Sequence, residues 1–183
     1  MNDGITMTTR RDVLTGLGSA LLATWAIAPR AEAAQQATAQ TTPPTLKVTG
    51  DVRTPLTLSP DELKAMPRAK VEVKDEDGRL VSYEGVLVGE ILKRAGAALG
   101  GELRGNAVAT YVVASASDGY QVVFSLAELD PAFTGSQIIV ADMIDGKPLF
   151  AYQGPLRIVA PNDTRPARSI RMLERLDVVR VKK

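Results

Sequence analysis

Short apolar runs alternate with turn residues from residue 46 onward, as in a domain built mainly of strands. Residues 70–73 and 79–83 each alternate polar and apolar side chains, and the acidic turn between them ends at Gly78. This pattern predicts a β-hairpin. Other apolar runs predict strands over residues 46–50, 107–114, 121–124, 137–142, 156–160 and 176–181.

Two segments carry helix signals. Ser59 and Glu62 are spaced as in a capping box around Pro60, which suits the first position of a helix. Apolar residues recur at helical spacing over residues 87–95, and Gly96 follows as a stop signal. Because strands outnumber helices and several strands adjoin through turns, we expect an α+β fold, a compact mixed β-sheet domain with short helices.

The first 33 residues have the features of an export leader. Arg10 and Arg11 precede a weakly apolar run over residues 14–28, and the tripeptide 31–33 supplies small side chains for a signal peptidase. We therefore predict a twin-arginine signal peptide over residues 1–33 and a periplasmic protein. The apolar run falls short of the roughly 20 residues that a spanning helix needs, so no stable membrane span is expected after cleavage.

The remaining chain divides into a tether and one domain. Residues 34–45 consist mostly of Ala, Gln, Thr and Pro, with too few large apolar groups to order themselves, and are predicted to be a disordered linker. Residues 46–183 have the size of a single domain with one core.

The chain has no cysteine and no histidine. This composition excludes thiolate and imidazole metal sites, Cys or His nucleophiles and Ser-His-Asp triads. The formal net charge of +1 argues against nucleic acid as a partner. The aromatic residues after the leader are expected in the core rather than on a base-stacking surface; they are Tyr83, Tyr111, Tyr120, Phe124, Phe133, Phe150 and Tyr152.

Basic residues concentrate at the C-terminal end, where residues 157–183 carry a net charge of +5. Arg157, Arg165 and Arg168 are the predicted anion-binding residues, because a guanidinium group can bind two phosphate oxygens at once. The alternative interpretation is a set of surface arginines that pair with nearby carboxylates.

The tetrapeptide 117–120 breaks two predicted strands. Asp118 and Tyr120 offer a carboxylate and a phenol for a pocket rim, and Gly119 lets the backbone approach a ligand closely. The alternative is an ordinary Asp-Gly turn with Tyr120 packed against the domain.

Six segments together resemble the molybdopterin-binding domain of the sulfite-oxidase-like oxidoreductases, over about residues 46–181. They are Val48-Thr49-Gly50 with Leu58-Ser59-Pro60-Asp61-Glu62-Leu63, Tyr83-Glu84-Gly85-Val86 running into Glu90-Ile91-Leu92-Lys93-Arg94-Ala95-Gly96, Ser117-Asp118-Gly119-Tyr120, Asp145-Gly146-Lys147-Pro148-Leu149 and Gly154-Pro155-Leu156-Arg157-Ile158-Val159-Ala160-Pro161. Their order and spacing carry the resemblance, since each segment alone is weak.

The resemblance implies a mixed α+β fold whose loops hold molybdopterin through its phosphate and ring edges, with molybdenum attached. It places phosphate contacts in the loop after Pro161, near the predicted arginines. In the family a protein cysteine near the first hairpin also binds the metal. Here residues 71–75 occupy that stretch and contain no cysteine. Asp75 offers a carboxylate oxygen as a candidate metal ligand. The alternative is that Asp75 belongs to an ordinary solvated turn.

Three functional hypotheses follow. The first is a periplasmic molybdopterin-binding domain of an oxidoreductase that lacks the cysteine ligand of its metal. The second is a non-catalytic periplasmic module that binds a small anionic ligand or a partner protein through its arginine-bearing face. The third is a metal-free enzyme that uses Asp118 and Tyr120 as acid and base.

Overall fold

The computed structural model describes residues 45–75 and 77–182. The predicted signal peptide, and the linker up to residue 44, lie outside the described residues. The strands of the described part are β1 (Leu46–Gly50), β2 (Leu56–Leu58), β3 (Arg68–Lys74), β4 (Leu80–Leu87), β5 (Thr110–Ala116), β6 (Gln121–Ser125), β7 (Ile139–Ile144), β8 (Lys147–Pro148), β9 (Arg157–Val159) and β10 (Leu173–Arg180). The α-helices are α1 (Pro60–Lys64) and α2 (Val88–Arg94), and 3₁₀ turns cover Gly100–Glu102, Gly105–Val108, Leu126–Leu129 and Pro166–Arg168.

The strands form two sheets of five. The first sheet has the order β2-β1-β10-β5-β6, in which β1 runs parallel to β10 and the other neighbours are antiparallel. The second sheet has the order β3-β4-β7-β8, with β9 also paired to β7, and its pairs are antiparallel. Mixed sheets with few short helices confirm the predicted α+β class.

The capping box, the helix stop and the hairpin predicted from the sequence are all present in the structure. The Ser59 hydroxyl accepts a hydrogen bond from the Glu62 backbone, and the Glu62 carboxylate accepts one from the Ser59 backbone, so the capping box is complete at the start of α1. Gly96 follows α2 with a φ of +74°, a left-handed conformation that favours glycine. The hairpin of β3 and β4 is confirmed, and its strands extend beyond the predicted ranges.

Two predicted strand starts differ from the structure by three residues, and the strand predicted over residues 137–142 lies at Ile139–Ile144. The strand predicted from residue 107 begins at Thr110, because Gly105–Val108 forms a 3₁₀ turn before it. The final strand begins at Leu173 rather than at residue 176 and pairs with β5 as far as Ala116. Among the described residues, no helix has the length and apolar character needed to cross a membrane.

The second sheet is covered by apolar residues on both faces. Along β7 and β9, Val140 and Ile158 join the main core between the sheets, whereas Ile139 and Val159 join a smaller cluster on the opposite face. Successive strand residues point to opposite faces, so Arg157 shares the face of Val159. That smaller cluster is the floor on which the candidate site lies.

Candidate functional site

Arg157 is a buried cation without an ionic partner among the described residues. Its side chain is 8% exposed. Its Nη1 donates to the Tyr83 hydroxyl at 3.1 Å, its Nη2 donates to the Ser169 carbonyl at 3.3 Å, and its Nε has no partner among the described residues. The guanidinium carbon lies 4.9 Å from the centroid of the Tyr83 ring. Burial lowers the pKa of Arg157, and the nearby Arg171 lowers it further.

Arg171 approaches the same region from the loop before β10. Its guanidinium carbon lies 5.7 Å from the centroid of the Tyr152 ring, which also stacks on Phe150 at 5.7 Å. In the part of the chain that the structure describes, no carboxylate oxygen lies within 4.0 Å of the charged nitrogens of Arg157 or Arg171. Among the described residues, neither the buried Arg157 nor the exposed Arg171 has an ion pair.

Two adjoining cavities surround these arginines. A cavity of about 550 Å³ lies over the second sheet, and one of about 300 Å³ lies beside it. They share five lining residues and thus form one cleft, which we call the arginine cleft; the shared residues are Tyr152, Arg157, Pro166, Ser169 and Arg171. Clefts of this size accommodate small organic ligands.

Gln153 adds a second unsatisfied polar group to the larger cavity. Its side chain is 8% exposed, and its Nε2 donates to the Tyr152 hydroxyl at 3.1 Å. Its Oε1 is buried without a hydrogen-bond partner among the described residues. Buried polar atoms are rarely left unpaired, so unpaired atoms in Gln153 and Arg157 mark this wall as a ligand-binding candidate.

The hairpin tip forms the opposite wall, where Val73, Lys74 and Asp75 line the larger cavity. Asp75 uses its carboxylate within the turn, because Oδ1 accepts from the backbones of Asp77 and Arg79 and Oδ2 accepts from the Arg79 side chain. These bonds, the Arg79 backbone donor above all, lower the pKa of Asp75. The observed role of Asp75 is to close the turn.

Asp118 and Tyr120 line the smaller cavity. Asp118 Oδ1 accepts from the Tyr120 backbone at 2.9 Å, and the Tyr120 hydroxyl donates to the Ala167 carbonyl at 3.0 Å. Gly119 takes a φ of +86° in this turn but does not line either cavity. The structure thus joins Asp118 and Tyr120 to Arg157 at one cleft.

Arg165 and Arg168 lie outside the lining of the cleft. Arg168 donates two hydrogen bonds to Asp163, at 2.9 and 2.7 Å, and one to Glu128 at 3.0 Å. These pairs, that with Asp163 above all, raise the pKa of Arg168. Arg168 thus pairs with nearby carboxylates, as in the alternative interpretation of the arginines. Arg165 is an exposed residue at the start of a 3₁₀ turn.

Sequence reasoning missed several lining residues. It expected Tyr152 in the core, but Tyr152 is 56% exposed at the cleft. The same expectation is wrong for Tyr120, Phe133 and Phe150, which are about half exposed. Arg171 belonged to the basic C-terminal segment but had no signal that set it apart from its neighbours.

Comparisons with known proteins agree with the fold. None of the curated proteins matches the chain. Among solved structures it is similar to the sulfane dehydrogenase SoxCD from Paracoccus pantotrophus, with a TM-score of 0.58 and 17% sequence identity, over 74% of this chain and 38% of that one. The chain therefore spans well under half of the SoxCD chain, and the likeness shows the fold alone.

A family comparison covers much more of the chain. The sequence model of the family described as oxidoreductase molybdopterin binding domain matches residues 34–183. The match includes both sheets and every residue of the arginine cleft, in agreement with the sulfite-oxidase-like resemblance of the sequence motifs. The chain therefore belongs to the family of oxidoreductase molybdopterin-binding domains.

Proposed function

We propose that this domain is a periplasmic binding module that holds a small organic anion in the arginine cleft. The observation that carries the proposal is the buried guanidinium of Arg157, which lacks an anionic partner among the described residues. An unpaired buried charge costs several kcal/mol, so a protein that retains one is poised for a counter-ion. An anion between Arg157 and Arg171 supplies that counter-ion.

The donor set does not fit the metal of the family cofactor. The chain has no cysteine, and thus lacks the one protein thiolate that the resemblance implies as a ligand of the metal. Asp75, the remaining ligand candidate near the hairpin, already accepts three hydrogen bonds. The phosphate of a pterin is compatible with the two arginines, as is any other anionic head group.

Titration calorimetry with inorganic phosphate and with hexanoate tests anion binding. We expect at least one probe to bind wild-type protein and to lose affinity at least tenfold in Arg157→Met, because the cleft then lacks its central charge. Arg104→Met is the matched control, since Arg104 is exposed and outside both cavities. Equal affinity of wild type and Arg157→Met for each probe contradicts the proposal.

A second candidate is a molybdopterin-dependent oxidoreductase domain, which the family match favours. Protein purified from the periplasm after native export decides between the two. Molybdenum in metal analysis together with pterin fluorescence after denaturation supports the oxidoreductase. Absence of both, with anion binding intact, supports the binding module.

We also propose that the protein reaches the periplasm by the twin-arginine export route. Its support is the Arg10-Arg11 pair followed by a weakly apolar run and a cleavage site. We expect the double variant Arg10→Lys, Arg11→Lys to remain in the cytoplasm with its leader attached. Unchanged export of that variant, measured by cell fractionation, contradicts the twin-arginine assignment.

A further inference from the structure

The floor of the arginine cleft is apolar where it extends away from Arg157. The larger cavity is lined there by Val73 and Val81 from the hairpin and by Val159 and Ala160 from the end of β9. Val81, Val159 and Ala160 are buried and belong to the clusters that cover the second sheet, so this floor is fixed by packing. Arg157 and Arg171 make one end of the cavity cationic, whereas at the hairpin end the aliphatic surface lies beside the charged side chains of Lys74, Asp75 and Asp77.

Several polar groups near this floor are already paired within the protein, while Arg157 Nε and Gln153 Oε1 have no partner among the described residues. The outer nitrogens of Arg157 donate to Tyr83 and Ser169, and the carboxylates of Asp75 and Asp163 accept from arginines. A ligand with many polar edge atoms would leave those atoms unpaired against valine side chains, which costs free energy for each atom. An apolar ligand body avoids this cost and removes from water the part of the Val73 side chain that is still exposed.

Tyr152 extends the apolar surface upward at the mouth of the cleft. Its ring is held between neighbours by stacking on Phe150, at an interplanar angle of 9°, and by contact with the Arg171 guanidinium. The Tyr152 ring, supported from behind by Phe150, therefore gives the cleft an exposed aromatic surface against which an apolar group can pack at little entropic cost.

The geometry points to an amphipathic organic anion as the ligand, with one acidic head at Arg157 and Arg171 and an aliphatic or aromatic body over Val73, Val81 and Tyr152. This inference rests on the proposed function and specifies its ligand class. It distinguishes an organic acid with an apolar body from a bare inorganic oxyanion and from a strongly polar heterocycle.

A homologous series of straight-chain carboxylates tests the inference. Titration calorimetry of the exported protein compares acetate, butanoate, hexanoate and octanoate with inorganic phosphate. Full burial of a methylene group strengthens binding about fourfold. We expect Kd to fall by about twofold to fourfold per methylene from butanoate to hexanoate, and phosphate to bind more weakly than hexanoate.

Two variants locate the effect. Val73→Thr keeps the side-chain shape but places a hydroxyl on the cavity wall, so it should weaken hexanoate at least threefold and leave acetate unchanged. Val123→Thr is the matched control, because Val123 is exposed on β6 and outside the cleft. Arg157→Met should weaken every carboxylate of the series.

The outcomes separate this inference from the proposed function. If phosphate or acetate binds as tightly as hexanoate, and Arg157→Met weakens all of these probes, the inference of an amphipathic ligand is wrong. The proposal of anion binding then still holds. Affinity that rises with chain length but is unchanged in Arg157→Met also overturns it, since the binding then lies elsewhere. No binding of any probe to wild type overturns both.

Discussion

Replacing Arg157 and Arg168 separately with methionine distinguishes a ligand-binding arginine from a structural one. Arg157→Met removes hydrogen bonds to Tyr83 and Ser169, about 1 kcal/mol each, and a cation–π contact of about 1 kcal/mol. It also removes a buried charge whose desolvation costs several kcal/mol. We expect the free energy of unfolding to stay level or to rise by about 1 kcal/mol.

Arg168→Met removes a cation from two carboxylates. Asp163 and Glu128 have side-chain exposures of 18% and 27%, so both become partly buried charges that have lost their ion pair with Arg168. Breaking a fully buried pair costs about 3–5 kcal/mol, and the 36% exposure of the Arg168 side chain reduces this through solvent screening. We expect a loss of about 1–3 kcal/mol.

Urea denaturation of the wild type and both variants measures this difference directly. The account requires Arg168→Met to be the less stable variant while it retains anion binding, and Arg157→Met to be the more stable variant while it loses binding. A larger stability loss in Arg157→Met than in Arg168→Met would refute the assignment of roles. An equal m value, the slope of the free energy of unfolding against urea concentration, shows that both variants expose as much surface on unfolding as the wild type does.

Three other changes test the surrounding fold. Ser59→Ala removes the cap of α1 and should cost about 1 kcal/mol, measured by urea denaturation. Gly85→Ala should lower the free energy of unfolding by more than about 3 kcal/mol, because a Cβ there would lie 2.0 Å from the Val140 carbonyl oxygen; an unchanged thermal midpoint contradicts this. The pKa of Asp75 is lower in the folded protein than in the unfolded chain. Its ionised carboxylate therefore stabilises the fold fully above the usual aspartate pKa of about 3.9, and this stabilisation is lost as pH falls through the folded-state pKa. Asp75→Asn should therefore flatten the acid-side decline of stability in this range, and an identical pH profile would show that the turn contributes nothing.

Local signals in the sequence were sufficient for much of the fold. The capping box at Ser59, the stop at Gly96 and the hairpin around Gly78 depend on neighbours within a few residues, and each is present in the structure. The parallel pairing of β1 with β10 joins residues more than 120 positions apart, and nothing in either strand specifies its partner.

The site was harder to predict because it depends on which groups meet. Arg157 and Arg168 look alike in the sequence, yet packing buries Arg157 with no ion pair among the described residues and places Arg168 between Asp163 and Glu128. The exposed position of Tyr152 likewise follows from the loop between β8 and β9, whose path has no periodic pattern to read.

An NMR titration of ¹⁵N-labelled protein with hexanoate tests anion binding in the arginine cleft most directly. The Arg157 Nε–H and the backbone amides of Gln153, Ser169 and Arg171 report on the cleft, and the amide of Val123 reports on a distant surface. We predict saturable shifts of the cleft signals, with the Arg157 Nε–H among the largest, and none at Val123. Shifts that exclude the cleft signals, or no saturable shifts at all, would contradict the central claim.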